Sequence, residues 1–446
     1  MCDVRPFCGL RYNPQLVPNI STVITPPYDV ISPEERNLYY RKSPYNIIRL
    51  EFGEGQPNDT ADNNKYTRAA AILNAWQKEQ VLIREDRPAF YIVEHRFAYQ
   101  DTIKNRLGLL ARVRLEELDN KGQIRPHEKT TREPAVDRLN LLRACRANIS
   151  PIMGLLRSKK GEMVKLLRGL IKREPDLAAT DSYGVSYNLW VITDEAATGK
   201  ISQFFADKVI YIADGHHRYE TALRYRDEQR AANASYSADE PFNFVMMSLI
   251  DSQDPGLVMM PTHRLARGLE PQRIGQLEGA ISPYFTVDSL LPPLPTRSET
   301  IQSWLRTMET AGKHGTVVGL YGIHEKKLWL LRLKRDAELH RVIAPDELSL
   351  WKKLDVCLLQ RIVMQEALGL DSLEKESKHL EYTRDAIEAV TQVDAGACQI
   401  AFFINPTRVS SVLDAADTGK RLPQKSTYFY PKTPAGLVIN PLCNNC

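Results

Sequence analysis

No stretch of this 446-residue chain approaches the ~20 consecutive apolar residues that a bilayer crossing requires, so no membrane span is expected. The opening "MCDVRPFCGLRYNP" has no basic start followed by an apolar core, which argues against a secretory leader. Neither sign of charge dominates. The 59 basic and 55 acidic residues leave a net +4, too little for a broad field that binds nucleic acid without specificity. Cysteine is sparse. Cys2, Cys8, Cys145, Cys357, Cys398, Cys443 and Cys446 are odd in number and dispersed, the pattern of reduced thiols in a cytoplasmic protein rather than a disulfide framework. The closing "CNNC" has C-x-x-C spacing but no second pair, and reads as a polar terminus rather than a metal or redox motif. G-x-x-x-x-G-K-[ST], G-x-G-x-x-G and H-E-x-x-H are all missing, so P-loop, Rossmann and zincin chemistry have no support. No internal repeat or low-complexity tract is present.

What remains is a globular composition, 43% hydrophobic and 26% charged, long enough for two or three domains. The segments predict a mixed α/β fold. A main α/β domain spans 1–264, a small α+β lobe 265–345, and C-terminal helices and strands 346–446, which return to the main domain in one reading. Ser32-Pro33-Glu34-Glu35 has the cap, first-position proline and acidic first turn of a helix start. "KYTRAAAILNAWQKEQ" carries Ala69, Ile72, Leu73 and Trp76 on one helical face. "PAFYIVEHRF", "RLGLLARVRLEEL", "SYNLWVITD" and "FNFVMMSLI" have strand composition, and the continuous apolar run in "KVIYIA" predicts a central strand. "REPAVDRLNLLRACRANIS" predicts a helix with a stripe of Val136, Leu139 and Leu142. "SLLPPLPTRSET" reads as a linker, and "LSLWKKLDVCLLQRIVMQEALG" as one periodic helix.

The densest chemistry is "IADGHHRYET". A strand, a glycine turn and a helix in succession leave the first helical N–H groups without partners at the positive end of the dipole, a ready anion site. Gly215 lets the backbone turn sharply, and His216, His217 and Arg218 add donors. Asp214 can hold a histidine tautomer, bind a metal or cap the helix. "PHEKT" supplies His127 or Glu128 as a general base, with Lys129, Thr130 and, on the next helix, Arg138 as phosphate ligands. "TPPYDVIS" is a rigid wall carrying Tyr28 and Asp29 or a plain turn. "PQKSTYFYPK" interleaves Lys425 and Lys432 with aromatics, a pattern that stacks a base and holds a phosphate or simply closes the core. A zinc site on the adjacent histidines would need distant partners such as His127 or His263.

Gly215-His216-His217-Arg218-Tyr219 resembles the glycine–histidine–arginine turn of the ParB/sulfiredoxin superfamily, which includes free serine kinases. That resemblance implies a strand–turn–helix site within a larger sheet and nucleotide phosphates held by His217 and Arg218. His216 stands where sulfiredoxin has its reactive cysteine, which speaks against sulfinic-acid reduction. Taken in order, "RPFCGLRYNP", "TPPYDVIS", "PHEKT", "IADGHHRYET", "PTHR" and "PQKSTYFYPK" resemble domain-of-unknown-function family 1015.

The expected function is a cytoplasmic enzyme of phosphoryl transfer on a small metabolite, serine or phosphoserine by resemblance, with Mg²⁺ and ATP, ADP or another phosphate donor. Its catalytic residues are expected to be His127, Glu128, Asp214 and His216. Gly215, His217, Arg218, Lys129, Thr130, Arg138 and Lys425 are expected to bind phosphate or nucleotide. A nucleotide-sensing or nucleic-acid-associated regulator and a metal-dependent hydrolase remain as alternatives.

Overall fold

The computed structural model describes residues 1–118, 122–128, 132–233, 235–289, 297–323 and 327–443. The chain forms two units, one of Met1–Val258 with Phe429–Cys446, the other of Met259–Tyr428.

The first unit is built on a nine-stranded mixed sheet. Its strands are β1 (Val4–Arg5), β2 (Phe90–Tyr99), β3 (Thr102–Arg114), β4 (Ile124–Arg125), β5 (Ile152–Leu156), β6 (Leu177–Thr180), β7 (Ser186–Ile192), β8 (Ile210–Asp214) and β9 (Phe244–Asp251). The order is β4-β8-β5-β9-β3-β2-β7-β6, with β1 beside β3. Among the described residues only the β4–β8 and β5–β9 pairs are parallel. The apolar run "VIYIA" therefore lies inside the sheet, as its continuity predicts, with Ile210 to Ala213 all buried. One sheet face carries Phe90, Ile92, Leu109 and Met247 against Leu167, Ile201, Phe205 and Tyr219 of the covering helices. The opposite face meets the two chain ends. Tyr91 donates to Phe7 O at 3.1 Å and accepts from the Gly9 amide at 2.8 Å, and Thr433 meets Ser248 at 3.2 Å.

The helices of this unit are α1 (Pro33–Lys42), α2 (Ile48–Glu51), α3 (Lys65–Lys78), α4 (Arg132–Cys145), α5 (Glu162–Leu170), α6 (Glu195–Phe205) and α7 (His216–Ala232). α1 starts as read, with Ser32 and Glu35 in a reciprocal capping box. α3 buries Ala69, Leu73 and Trp76. α4 departs from the expected stripe. Val136 is 49% exposed, whereas Leu139, Leu141, Leu142 and Arg138 are buried. The inward face is set by Arg138, which turns toward α2, and by Leu139 and Leu142, which pack on Tyr225 of α7.

The second unit holds a six-stranded antiparallel sheet of β10 (His263–Ala266), β11 (Phe285–Ser289), β12 (Val317–Tyr321), β13 (Trp329–Leu333), β14 (Leu380–Thr383) and β15 (Ile400–Phe403), ordered β11-β13-β12-β15-β10-β14. Strands from 265–345 and from 346–446 thus share one sheet. The single helix read over "LSLWKKLDVCLLQRIVMQEALG" is broken into Pro345–Trp351, Asp355–Leu358 and a π-helical stretch Leu359–Ala367. The break falls where Leu354 is extended (φ −123°, ψ 108°) and Asp355 accepts from the Val317 amide of β12. Of the proline-rich linker, 290–296 lie outside the described residues, and a helix begins at Arg297. Among the described residues no helix is long and apolar enough to cross a membrane. Cys8 is disulfide-bonded, which corrects the all-thiol reading, while Cys2, Cys145, Cys357, Cys398 and Cys443 are free. The end of "CNNC" lies outside the described residues.

Candidate functional site

The end of β8 is shaped by two glycines. Gly154 of β5 lets β8 approach closely, since a Cβ there would sit 2.8 Å from Ile210. The register against β5 then shifts between Ile212 and Asp214, an irregularity of the kind that re-aims side chains. Gly215 follows at φ 93°, a left-handed conformation that favours glycine, and α7 begins at once with no side-chain cap. The Tyr219 amide closes the first turn on Gly215 O at 3.0 Å. The first N–H groups of a helix have no intrahelical acceptor, and here they lie at the carboxyl end of an inner strand.

Asp214 is gripped from two sides. Lys432 Nζ donates to its Oδ1 at 2.6 Å, and Arg218 Nη2 to its Oδ2 at 2.8 Å. Lys432 also donates to Asp29 Oδ2 at 2.5 Å, so one ammonium bridges two aspartates. Burial alone would lower the Lys432 pKa, but the two carboxylates overcome it and raise it. Arg218 folds back across the turn: a Cβ on Gly215 would lie 2.9 Å from its Nε. Its Nη1 donates to Pro151 O at 2.6 Å and to Ser150 Oγ at 3.2 Å. Ser150 in turn donates to Glu51 Oε1 at 2.8 Å. Glu51 is 2% exposed, and burial raises its carboxyl pKa despite Arg138 and Arg218 nearby.

Arg138 completes the chain. It donates to Glu51 O at 2.7 Å, stacks 3.9 Å over the Tyr28 ring and pairs with Asp137 at 2.5 Å. Burial would push the Asp137 carboxyl up, but Arg138, Lys65 and Tyr66 hold it at about 2. Arg138 is therefore a buried member of the site, not half of a surface pair. Glu51, Arg138, Ser150, Arg218 and Thr221 line a small cavity of about 50 Å³, together with apolar residues such as Leu141 and Ile152.

His127 and His216 meet edge to face, with ring centroids 4.6 Å apart. The His127 amide donates to His216 Nε2 at 3.3 Å, which assigns the His216 proton to Nδ1. His127 Nδ1 contacts Ile212 O at 2.8 Å and so bears its own proton. Both rings are buried, while Glu128 and His217 are half-buried. His127 of "PHEKT" and the glycine turn thus share one locality.

The fold brings together Asp214, Gly215, His216, Arg218, Arg138 and His127, with His217 and Glu128 adjoining them in sequence. Lys129 and Thr130 lie outside the described residues. Lys425 belongs to the second unit, exposed and at φ 57°. The lysine of "PQKSTYFYPK" that reaches Asp214 is Lys432. Sequence reasoning also missed Glu51 and Ser150, and left Asp29 without a role. Lys432 carried a signal in its motif; Glu51, in "RLEFGEG", carried none. His263, the distant zinc candidate, is buried in the second unit, accepts from the Ile404 amide and is held down to about 4 by burial. Among the described residues no group of three or more His, Cys, Asp or Glu can hold a metal ion.

A mixed α/β protein with a strand–glycine–helix site is thus defined. The chain belongs to the family described as "Protein of unknown function (DUF1015)", which it matches over residues 4–357. No curated protein matches it. Among solved structures, a conserved hypothetical protein from Pyrococcus furiosus is 14% identical with a TM-score of 0.36, over 74% of this chain and 93% of that one. A free serine kinase in complex with AMP is 13% identical with a TM-score of 0.34, over 72% and 86%. SbnI with a C-terminal truncation, from Staphylococcus aureus, is 10% identical with a TM-score of 0.35, over 76% and 90%.

Proposed function

We propose that the turn from β8 into α7 binds the phosphates of a nucleotide, and that the protein transfers a phosphoryl group between that nucleotide and the hydroxyl of a small metabolite. Free serine and phosphoserine are the first compounds to try. The observation that carries this reading is the uncapped start of α7 at Gly215, set among Arg218, Arg138 and Lys432 and against the His127–His216 pair. Cations arranged around a helix N-terminus suit an oxyanion, and phosphoryl transfer relies chiefly on positioning and charge neutralisation.

In this reading Gly215 and His217 approach the phosphates. Arg218 and Lys432 are shared between the incoming phosphate and Asp214. His216 Nε2 is already engaged by the His127 amide, so Glu128 takes the proton from the acceptor hydroxyl. The hydroxyl oxygen then bonds to the terminal phosphorus as the bond to the leaving nucleotide breaks. Asp214 and Asp29 are acids at the turn, but the Lys432 ammonium bridges them. That arrangement does not fit Mg²⁺.

The test is a thermal-shift screen of AMP, ADP, ATP, pyrophosphate and phosphoserine, with and without Mg²⁺, followed by a transfer assay. A ligand at a hundred times its Kd should stabilise by about 2.7 kcal/mol. In the transfer assay Glu128→Gln should lower turnover by more than it weakens binding, on the ~10²–10⁴ scale of general acid–base catalysis. The absence of any shift at millimolar phosphate compounds would overturn the proposal.

A further inference from the structure

A second cluster lies on the face of the first-unit sheet that the chain ends cover. Tyr187 of β7, His95 of β2 and Arg106 of β3 sit side by side across the strands. His95 and Arg106 are both fully buried. Neither ring nitrogen of His95 has a hydrogen-bond partner, nor do Nε and Nη2 of Arg106. Arg106 Nη1 donates to the Tyr430 carbonyl at 3.2 Å. No carboxylate among the described residues forms an ion pair with it. Asp254, the nearest acid in charge terms, is taken up by the Leu107 and Gly256 amides at 3.0 and 2.7 Å.

Buried polar groups are nearly always paired, and a buried guanidinium without a counter-charge is among the costliest exceptions. Burial lowers Arg106 only to about 10, so it keeps its charge at neutral pH. Burial also pushes His95 well below its ordinary value, leaving a neutral ring with one N–H to donate. The two unpartnered nitrogens of Arg106 are informative together. Nε–H and the adjacent Nη2–H form the parallel edge of the guanidinium, the geometry that grips two oxygens of one carboxylate or phosphoryl group.

We propose that Arg106 and His95 form a second oxyanion site, which takes one carboxylate or phosphoryl group in bidentate fashion beneath the Tyr430 carbonyl. Tyr430, edge-on to Phe97 with ring centroids 5.4 Å apart, covers this end of the row. The site is separate from the α7 turn and stands whether or not that turn binds phosphate. It is tied to the turn only through the chain, since Lys432 follows Tyr430 by two residues.

The experiment is thermal unfolding of the full chain in rising inorganic phosphate and, separately, acetate, with chloride balancing the ionic strength. Wild type should gain Tm with either or both anions as for a single site. A response to phosphate alone assigns a phosphoryl ligand; a response to acetate assigns a carboxylate. Arg106→Met should abolish this component, without a lower Tm than wild type in anion-free buffer, because it removes an unpaired buried charge. Arg106→Lys keeps the charge without the fork and should bind about tenfold more weakly. If Arg106→Met fails to fold, Arg106→Lys and His95→Phe carry the comparison. Gly215→Asp places a negative charge at the α7 turn, so it removes any component belonging there and leaves the one belonging to Arg106. Wild type with no anion response, or Arg106 variants with the wild-type response, would overturn the site.

Discussion

Removing the Lys432 ammonium is the sharpest perturbation of the site's architecture. Its Nζ lies 2.5 Å from Asp29 and 2.6 Å from Asp214, and the three side chains are 9%, 32% and 21% exposed. Lys432→Met retains the apolar stem and leaves two carboxylates facing each other. Breaking a fully buried pair costs about 3–5 kcal/mol. Asp29, a third exposed, relaxes into water, so its share falls to the ~0–1 kcal/mol of a surface pair. Asp214 retains Arg218 at 2.8 Å, which offsets part of the rest. The expected loss is about 2–3 kcal/mol, within the range between those limits. The pH dependence has a definite sign. The folded Lys432 pKa is raised, so its contribution is complete below the ordinary lysine value of about 10.4 and is lost only as pH rises through the raised value. The loss should therefore be flat across neutral pH. Urea unfolding by circular dichroism measures it, with transitions fitted separately if the two units do not unfold together. A double-mutant cycle with Asp29→Asn isolates the bridge. A loss under about 0.5 kcal/mol, the scatter of ordinary surface substitutions, with no coupling to Asp29 would refute the reasoning.

Other elements can be tested in the same way. The buried Tyr219 hydroxyl donates to Glu116 O at 3.0 Å and accepts from the Glu116 amide at 2.9 Å, so Tyr219→Phe should cost about 1–3 kcal/mol in urea unfolding. In the second unit, burial raises the Asp355 carboxyl to about 7 despite the Val317 amide and Asn405. Its favourable share is complete below the unfolded value of about 3.9 and is lost as pH rises through about 7. Asp355→Asn should flatten that part of the Tm–pH profile; a profile identical to wild type would contradict the assignment.

Much of the site was legible because its parts are local. Gly215 could be recognised from a strand that ends in a polar turn, and the α1 cap from four residues. Contacts made at long range were not. Lys432 reaches Asp214 across 218 positions and His127 reaches His216 across 89, and no periodicity encodes either distance. Glu51 was invisible because a buried acid looks like any surface acid until its Ser150 and Arg138 partners are placed around it. Val136 failed because apolar spacing alone cannot reveal that a buried arginine, Arg138, sets the inward face of α4. The expected long helix failed for a similar reason. Its apolar residues are periodic, but Asp355 is held to β12, and the chain bends to meet that contact.

A matched pair of substitutions tests directly whether the α7 turn is a phosphate site. Asparagine and aspartate are nearly isosteric, and both tolerate the left-handed backbone that Gly215 adopts at φ 93°. Either side chain displaces the Arg218 guanidinium to the same extent, so the difference between them is charge. Calorimetric titration with ADP and with pyrophosphate should show Gly215→Asn binding more weakly than wild type but measurably. Gly215→Asp should bind at least about tenfold more weakly than Gly215→Asn, equivalent to ~1.4 kcal/mol. Equal affinity in the two variants, or no binding of either ligand to the wild-type protein, would contradict the claim.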